Sequence, residues 1–121
     1  MIINLTQHPA TPEQVEAGVK ELPPELAKEV RDLLTFNALP SRYELEERAK
    51  TIAAIAASTG CRSAMIGGAP FFMEPLARRL IYAAVHPLYA FSVRESREVR
   101  TERGVEKVSV FRHLGFVGDQ I

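Results

Sequence analysis

Three polar side chains close the first apolar run of the chain. In "NLTQHPATPEQ", residues 4–14, Thr6, Gln7 and His8 follow Leu5 directly, and Pro9 and a helix start come next. A hydroxyl, an amide and an imidazole at a strand end can hydrogen-bond the base or ribose of a ligand. The imidazole can also move a proton near neutral pH. The competing use of His8 is to cap local backbone. A second group is the turn Gly67-Gly68-Ala69 in "MIGGAP". Glycine lets another group approach the main chain closely, and the amino end of the following helix favours an anion. Tight strand-to-helix packing explains the same glycines, and no Walker or dinucleotide fingerprint surrounds them. A third group is Ser92, Arg94 and Ser96, where "LYAFSV" gives way to "RESREV". Arginine offers a charged fork for phosphate. Arg94 stands nearest the buried strand, whereas Arg97, Arg100 and Arg103 are interleaved with Glu95, Glu98 and Glu102 and read as a solvated hairpin.

Other chemistry is absent from the pattern. Three scattered histidines and one cysteine lack metal-ligand spacing, so neither a metal nor a cofactor is expected. No nucleophile elbow occurs. Cys61 precedes a strand, on the wrong edge for a nucleophile; His86 falls on that edge too and reads as structural. His113 should pair near Ser92, well down a hairpin and away from His8.

The elements that must position these residues follow from the punctuation. Met1–Leu5 reads as a short buried strand. Thr11, Pro12 and Gln14 form a capping box that starts a helix reaching Lys20 or Leu22. Pro23 and Pro24 break it. A helix over 24–35 aligns Leu26, Val30, Leu33 and Leu34. Ser41 and Glu44 open the strongest helix, 41–59, with Gly60 as its stop. Ser63–Ile66 is a second strand, a helix runs from Glu74 to Val85, and a third strand covers 88–95. The turn Glu102-Arg103-Gly104 returns the chain as a fourth strand over 106–116.

Strand alternating with helix predicts an α/β fold: one small three-layer Rossmann-like domain over residues 1–121, with three parallel strands and a C-terminal antiparallel hairpin strand. The order 2-1-3-4 places the first and third strands together at a switch point; 1-2-3-4 obeys the same crossover rule. In such sheets ligands bind outside the carboxyl ends of the strands, where all three polar groups end.

Composition sets the outer limits. The chain has 121 residues, 46% apolar and 25% charged, with fifteen basic and fifteen acidic side chains. That balance argues against a binder of long nucleic acids, yet leaves room for a small anion in a local basic pocket. A single cysteine, no signal-peptide order and no long apolar run point to the cytoplasm, with no membrane partner.

The stretch "NLTQHPATPEQ" resembles the opening of short CRISPR-associated proteins related to CARF domains, some of them ring nucleases, in which a first strand runs into a polar Ser/Thr-His-Pro loop. Thr6 and His8 carry the match; Gln7 between them departs from it. "MIGGAP", "LYAFSVRES" and "VFRHLGFV" resemble small phage and prophage proteins of unassigned function. The resemblance implies a nucleotide second messenger, such as a cyclic oligonucleotide, and metal-free cleavage through a ribose hydroxyl.

The resulting expectation is a nucleotide-like phosphate ligand held by Thr6, Gln7, His8, Gly67, Gly68, Ala69, Ser92, Arg94 and Ser96, in a sensor, sponge or nuclease with no assigned catalytic residue. The rival expectation is a homodimeric interaction module, built on the hairpin and an apolar Phe71-Phe72-Met73 loop, with no small ligand.

Overall fold

Alternation along the short strands decides which side chains face which layer. The computed structural model describes residues 1–118; residues 119–121, which the single-domain reading included, lie outside the described residues. Strand β1 (Ile2–Leu5) pairs in parallel with β3 (Ser63–Ile66), setting Ile3 opposite Ala64 and Leu5 opposite Ile66. These four side chains enter one core with Val30, Ile52, Phe72, Leu76 and Leu80. The intervening Met65 points the other way, into a smaller cluster with Val19, Leu88 and Phe116.

The main core is closed by three helices: α2 (Pro24–Leu33), α3 (Arg42–Ser58) and α4 (Pro70–Tyr82). Ser41 caps α3 by accepting the amide of Glu44 at 3.0 Å, half of the expected capping box; the Glu44 carboxylate pairs with Arg48 at 3.0 Å. Helix α4 begins four residues earlier than expected, at Pro70 rather than Glu74. Phe71-Phe72-Met73 is therefore its first turn and not an apolar loop. Proline at the first helical position explains the start. Pro75 then lies inside the helix and forfeits a backbone bond. Phe72, Leu76 and Leu80, spaced four apart and all fully buried, offset that loss.

The first helix is shorter than its sequence suggested. α1 (Pro12–Glu16) stops before Gly18, whose φ of +106° favours glycine. The chain then adds an unforeseen edge strand, β2 (Val19–Lys20), parallel to β1, with Val19 buried. Two residues of strand followed by Pro23 and Pro24 make a blunt edge.

The result is an α/β fold around a five-stranded mixed sheet in the order β2-β1-β3-β4-β5. β3 pairs in parallel with β4 (His86–Thr101), and β4 pairs antiparallel with β5 (Gly104–Val117). Among the four anticipated strands the order is thus 1-2-3-4. The preferred order failed because β2 occupies the edge of β1 that the third strand would have taken. The chain leaves β1 for β2 on one side and returns to β3 on the other, so the order reverses between β1 and β3. Nor do the long helices divide between the two faces, as expected: α2, α3 and α4 all feed the main core.

The hairpin is longer than predicted at both ends. β3 pairs β4 only from His86 to Leu88, and beyond that β4 and β5 run on as a two-stranded arm to the turn at Glu102 and Arg103. His86 lies at the opposite end of β4 from this arm, and its ring bonds the Gly118 carbonyl. No described helix is long and apolar enough to cross a membrane.

Candidate functional site

Asn4 organises the loop after β1. It is the one polar residue in an otherwise apolar strand and is buried. Its side-chain amide donates to the His8 carbonyl at 2.8 Å and to the Glu21 carboxylate at 3.1 Å. Its carbonyl oxygen accepts the Thr6 amide at 2.9 Å and the Thr6 hydroxyl at 2.7 Å. Glu21 also accepts the Ala10 amide at 2.7 Å. Residues 6–10 are thereby tied down from beneath. The Thr6 hydroxyl is occupied inside this network, whereas Gln7 and His8 stand exposed. Gln7 reaches the other way, donating to the Thr35 hydroxyl at 3.0 Å.

The carboxyl end of β3 lies beside this loop. A β-carbon placed on Gly67 would be 3.7 Å from the Thr6 methyl. Gly68 has φ +146°, which the chain needs in order to turn from β3 into α4. Ala69 precedes α4 and packs on the main core.

Both segments line one cavity of about 470 Å³, within the ~300–1,000 Å³ usual for small-molecule sites. Thr6, Gln7, His8, Gly67 and Gly68 all contribute to it, together with Pro9, Thr11, Gln14, Met65, Ile66, Tyr89 and Ala90. It opens at the carboxyl ends of β1, β3 and the parallel part of β4, where the strand order reverses. Its wall mixes hydrogen-bonding groups with an apolar floor from Met65 and Ile66. No lysine or arginine among the described residues lines it. Among the described residues, no cluster of histidine, cysteine or acidic side chains could hold a metal.

Four residues singled out from sequence are not in this wall. Ala69 faces the core instead. Ser92, Arg94 and Ser96 stand out along the arm, because β4 continues to Thr101 and carries them away from the sheet. The Arg94 guanidinium lies over the Phe111 ring at 5.3 Å, and not toward Gly68 as its position at the strand exit suggested. His113 pairs with Ser92 as anticipated, its ring edge-on to Phe116 at 4.8 Å.

Sequence reasoning missed the remaining lining residues and both anchors. Tyr89 and Ala90 were read as strand interior, yet they fall just past the last β3 partner. Thr11 and Gln14 were read only as a helix start; that capping box also forms one side of the cavity. The signal for Asn4 was present, since a polar residue inside a buried strand needs partners.

A second polar cluster clamps α3 to α4. Glu46 accepts from Arg79 at 3.0 Å and from Arg78, which also pairs with Glu74 at 2.9 Å. Hydrogen bonds from Arg78 and then Arg79 hold the Glu46 carboxyl down, from an ordinary 4.5 to about 2. Glu74 is lowered as well, chiefly by its bond from Arg78. The cluster reads as a structural clamp.

The chain belongs to the family described as "Uncharacterized protein MJ1673 family", whose model matches residues 1–117. No curated protein and no solved structure matches it.

Proposed function

We propose that this member of the MJ1673 family binds a nucleotide-like small molecule in the cavity between the β1 loop and the β3 turn. The observation that carries the reading is convergence. The Thr6-Gln7-His8 loop and the Gly67-Gly68 turn line the same cavity, at the point where strand order reverses. The order β2-β1-β3-β4-β5 supports reading the domain as Rossmann-like, with α1 as the cover of the second face. Gln7 and His8 offer hydrogen bonds to base or ribose, Tyr89 offers a stacking surface, and the backbone at Gly67 and Gly68 leaves room for a phosphate. The likeness of residues 4–14 to CARF-related proteins supports a cyclic oligonucleotide in particular. Capture, as by a sensor or sponge, needs only these groups; in cleavage a ribose 2′-hydroxyl would attack the adjacent phosphate and expel the 5′-oxygen of the next nucleotide, with the His8 imidazole of the wall taking the hydroxyl proton.

The experiment is a thermal-shift screen of the full chain against mononucleotides, dinucleotides and cyclic oligonucleotides. A native-state ligand raises the melting temperature by mass action. A concentration-dependent rise with one class is expected, and no rise with any class at millimolar concentration overturns the reading.

A second reading, an interaction module, is favoured by the arm. Val99, Val105 and Phe111 on it are 42%, 59% and 69% exposed. From the Phe71-Phe72-Met73 segment the module draws on Phe71, which is 52% exposed although edge-on to Phe36 at 5.1 Å, and not on Phe72, which is buried in the core.

A further inference from the structure

Among the described residues, none pairs with the outer edge of β4 from Tyr89 to Thr101, because β3 pairs only as far as Leu88 and β5 occupies the other side. A two-stranded ribbon alone in water is marginal; three or more strands with an apolar face are needed. The free edge carries "VRESREV", residues 93–99. Read in reverse, this segment keeps its valines and its serine in place and inverts the sign of every charge. We infer that the arm is completed by a second copy of this chain, β4 against β4, antiparallel about Ser96.

In that register Val93 faces Val99, Arg94 faces Glu98, Glu95 faces Arg97, and Ser96 faces itself. Directly opposed side chains of an antiparallel pair lie within contact, and opposite charges there are favourable. Every charge from 94 to 98 meets its opposite. Neighbouring registers do not share this property. A shift of one residue sets Arg94 on Arg97 or Glu95 on Glu98, and a shift of two sets Arg97 or Glu95 on itself. Charges on an edge usually discourage pairing; here their order selects one partner and one register.

One face of the resulting four-stranded sheet carries valines interleaved with charges, Glu95 and Arg112 among them paired at 3.2 Å. The cross-strand pairs Val99↔Glu106, Arg97↔Val108, Glu95↔Val110 and Val93↔Arg112 place four valines on one side of each arm. Two copies therefore join eight valines. The same register carries the turn of one copy, with Arg103, alongside Ala90 and Tyr89 of the other. Both of these line the cavity, to which no described lysine or arginine of its own chain contributes. That consequence rests on the ligand reading, whereas the pairing does not.

The pairing is tested by sedimentation velocity on the full chain at micromolar to high-micromolar concentration. A species of twice 13.5 kDa is expected. Arg97→Glu and Glu95→Arg, each alone, set like charges face to face and should weaken the dimer at least roughly tenfold. Mixed in equal amounts, the two variants restore both opposed pairs and should form a heterodimer. In a Cys61→Ser background, Ser96→Cys should cross-link to a dimer under mild oxidation, with Thr101→Cys as the negative control; this arm stands if a charge variant fails to fold. A wild-type monomer throughout, single variants that dimerise unchanged, a mixture that stays monomeric, or equal cross-linking at positions 96 and 101 would each overturn the pairing. Given a dimer, Arg103→Ala should leave sedimentation unchanged and weaken AMP binding about tenfold. Unchanged AMP affinity removes Arg103 from the cavity, and no AMP binding by the parent overturns this consequence, in both cases leaving the dimer result intact.

Discussion

The side-chain amide of Asn4 donates to the main-chain carbonyl of His8 across 2.8 Å, so a buried strand residue fixes the position of an exposed one. The same amide meets Glu21, which in turn holds Ala10. The cavity wall is thus set from beneath, through groups that a ligand would never touch.

Asn4→Ala should consequently loosen the loop as well as weaken the fold. It strips the Thr6 amide of its partner and leaves the His8 carbonyl with the Thr6 hydroxyl alone, at 3.0 Å. Leaving a polar group unpaired costs about 1–3 kcal/mol, so a loss in that range is expected in urea denaturation. Hydrogen exchange at residues 6–10 should quicken beyond what that global loss explains. Exchange that tracks global stability alone would reduce Asn4 to an ordinary core residue.

Gly67 and Gly68 should separate cleanly. At Gly68 a side chain would find ordinary contacts, 3.6 Å from Met73 and 3.9 Å from Leu34, but φ +146° is strained for any L residue. Gly68→Ala should cost about 1–3 kcal/mol. Gly67 has no such φ, and its added methyl would meet Thr6 at 3.7 Å. Gly67→Ala should stay within about 0.5 kcal/mol of the parent. Comparable losses at both positions would mean that crowding, and not backbone conformation, governs this turn.

Local punctuation made much of this legible, and long-range pairing did not. Ser41, Gly60 and the short apolar run Ser63–Ile66 ended by Gly67-Gly68 mark their elements without help. Val19–Lys20 carries no strand signal of its own: two residues become a strand only because β1 offers an edge. Once β2 takes that edge, the third strand moves across to β3, which no local pattern records. The site followed the same division. Thr6 to His8 and Gly67-Gly68 were readable as strand ends, and strand ends meet at an edge. Arg94 was misplaced because its location depends on how far β4 outruns β3. Sequence spacing does not fix that length; the charges after Val93 pair across the hairpin as well as they would solvate a loop.

Acid should expose the clamp between α3 and α4. The Glu46 carboxyl is held near pH 2 in the fold against an ordinary 4.5, so its contribution is complete above 4.5 and is lost as the pH falls toward 2. At neutral pH, Glu46→Gln should melt below the parent. The gap should narrow between pH 4.5 and 2 and close below that. A gap that is constant across this range would show that the variant loses packing alone.

Tyr89 tests the chemical class of the proposed ligand. It lines the cavity just beyond the last β3–β4 pair and is 37% exposed, so it has surface to offer. Stacking of a base on an aromatic ring is worth about 1–3 kcal/mol by alanine substitution. Tyr89→Ala should therefore weaken a nucleotide that the thermal-shift screen identifies by about 5- to 150-fold. Tyr89→Phe keeps the ring and should retain most of the affinity; an equal loss in both variants would assign the hydroxyl and not the ring. Inorganic phosphate or pyrophosphate, which lacks a base, should bind parent and Tyr89→Ala alike. If Tyr89→Ala leaves the nucleotide as tightly bound as the parent does, the base is not held at this wall, and recognition must come from the Gln7-His8 side of the cavity.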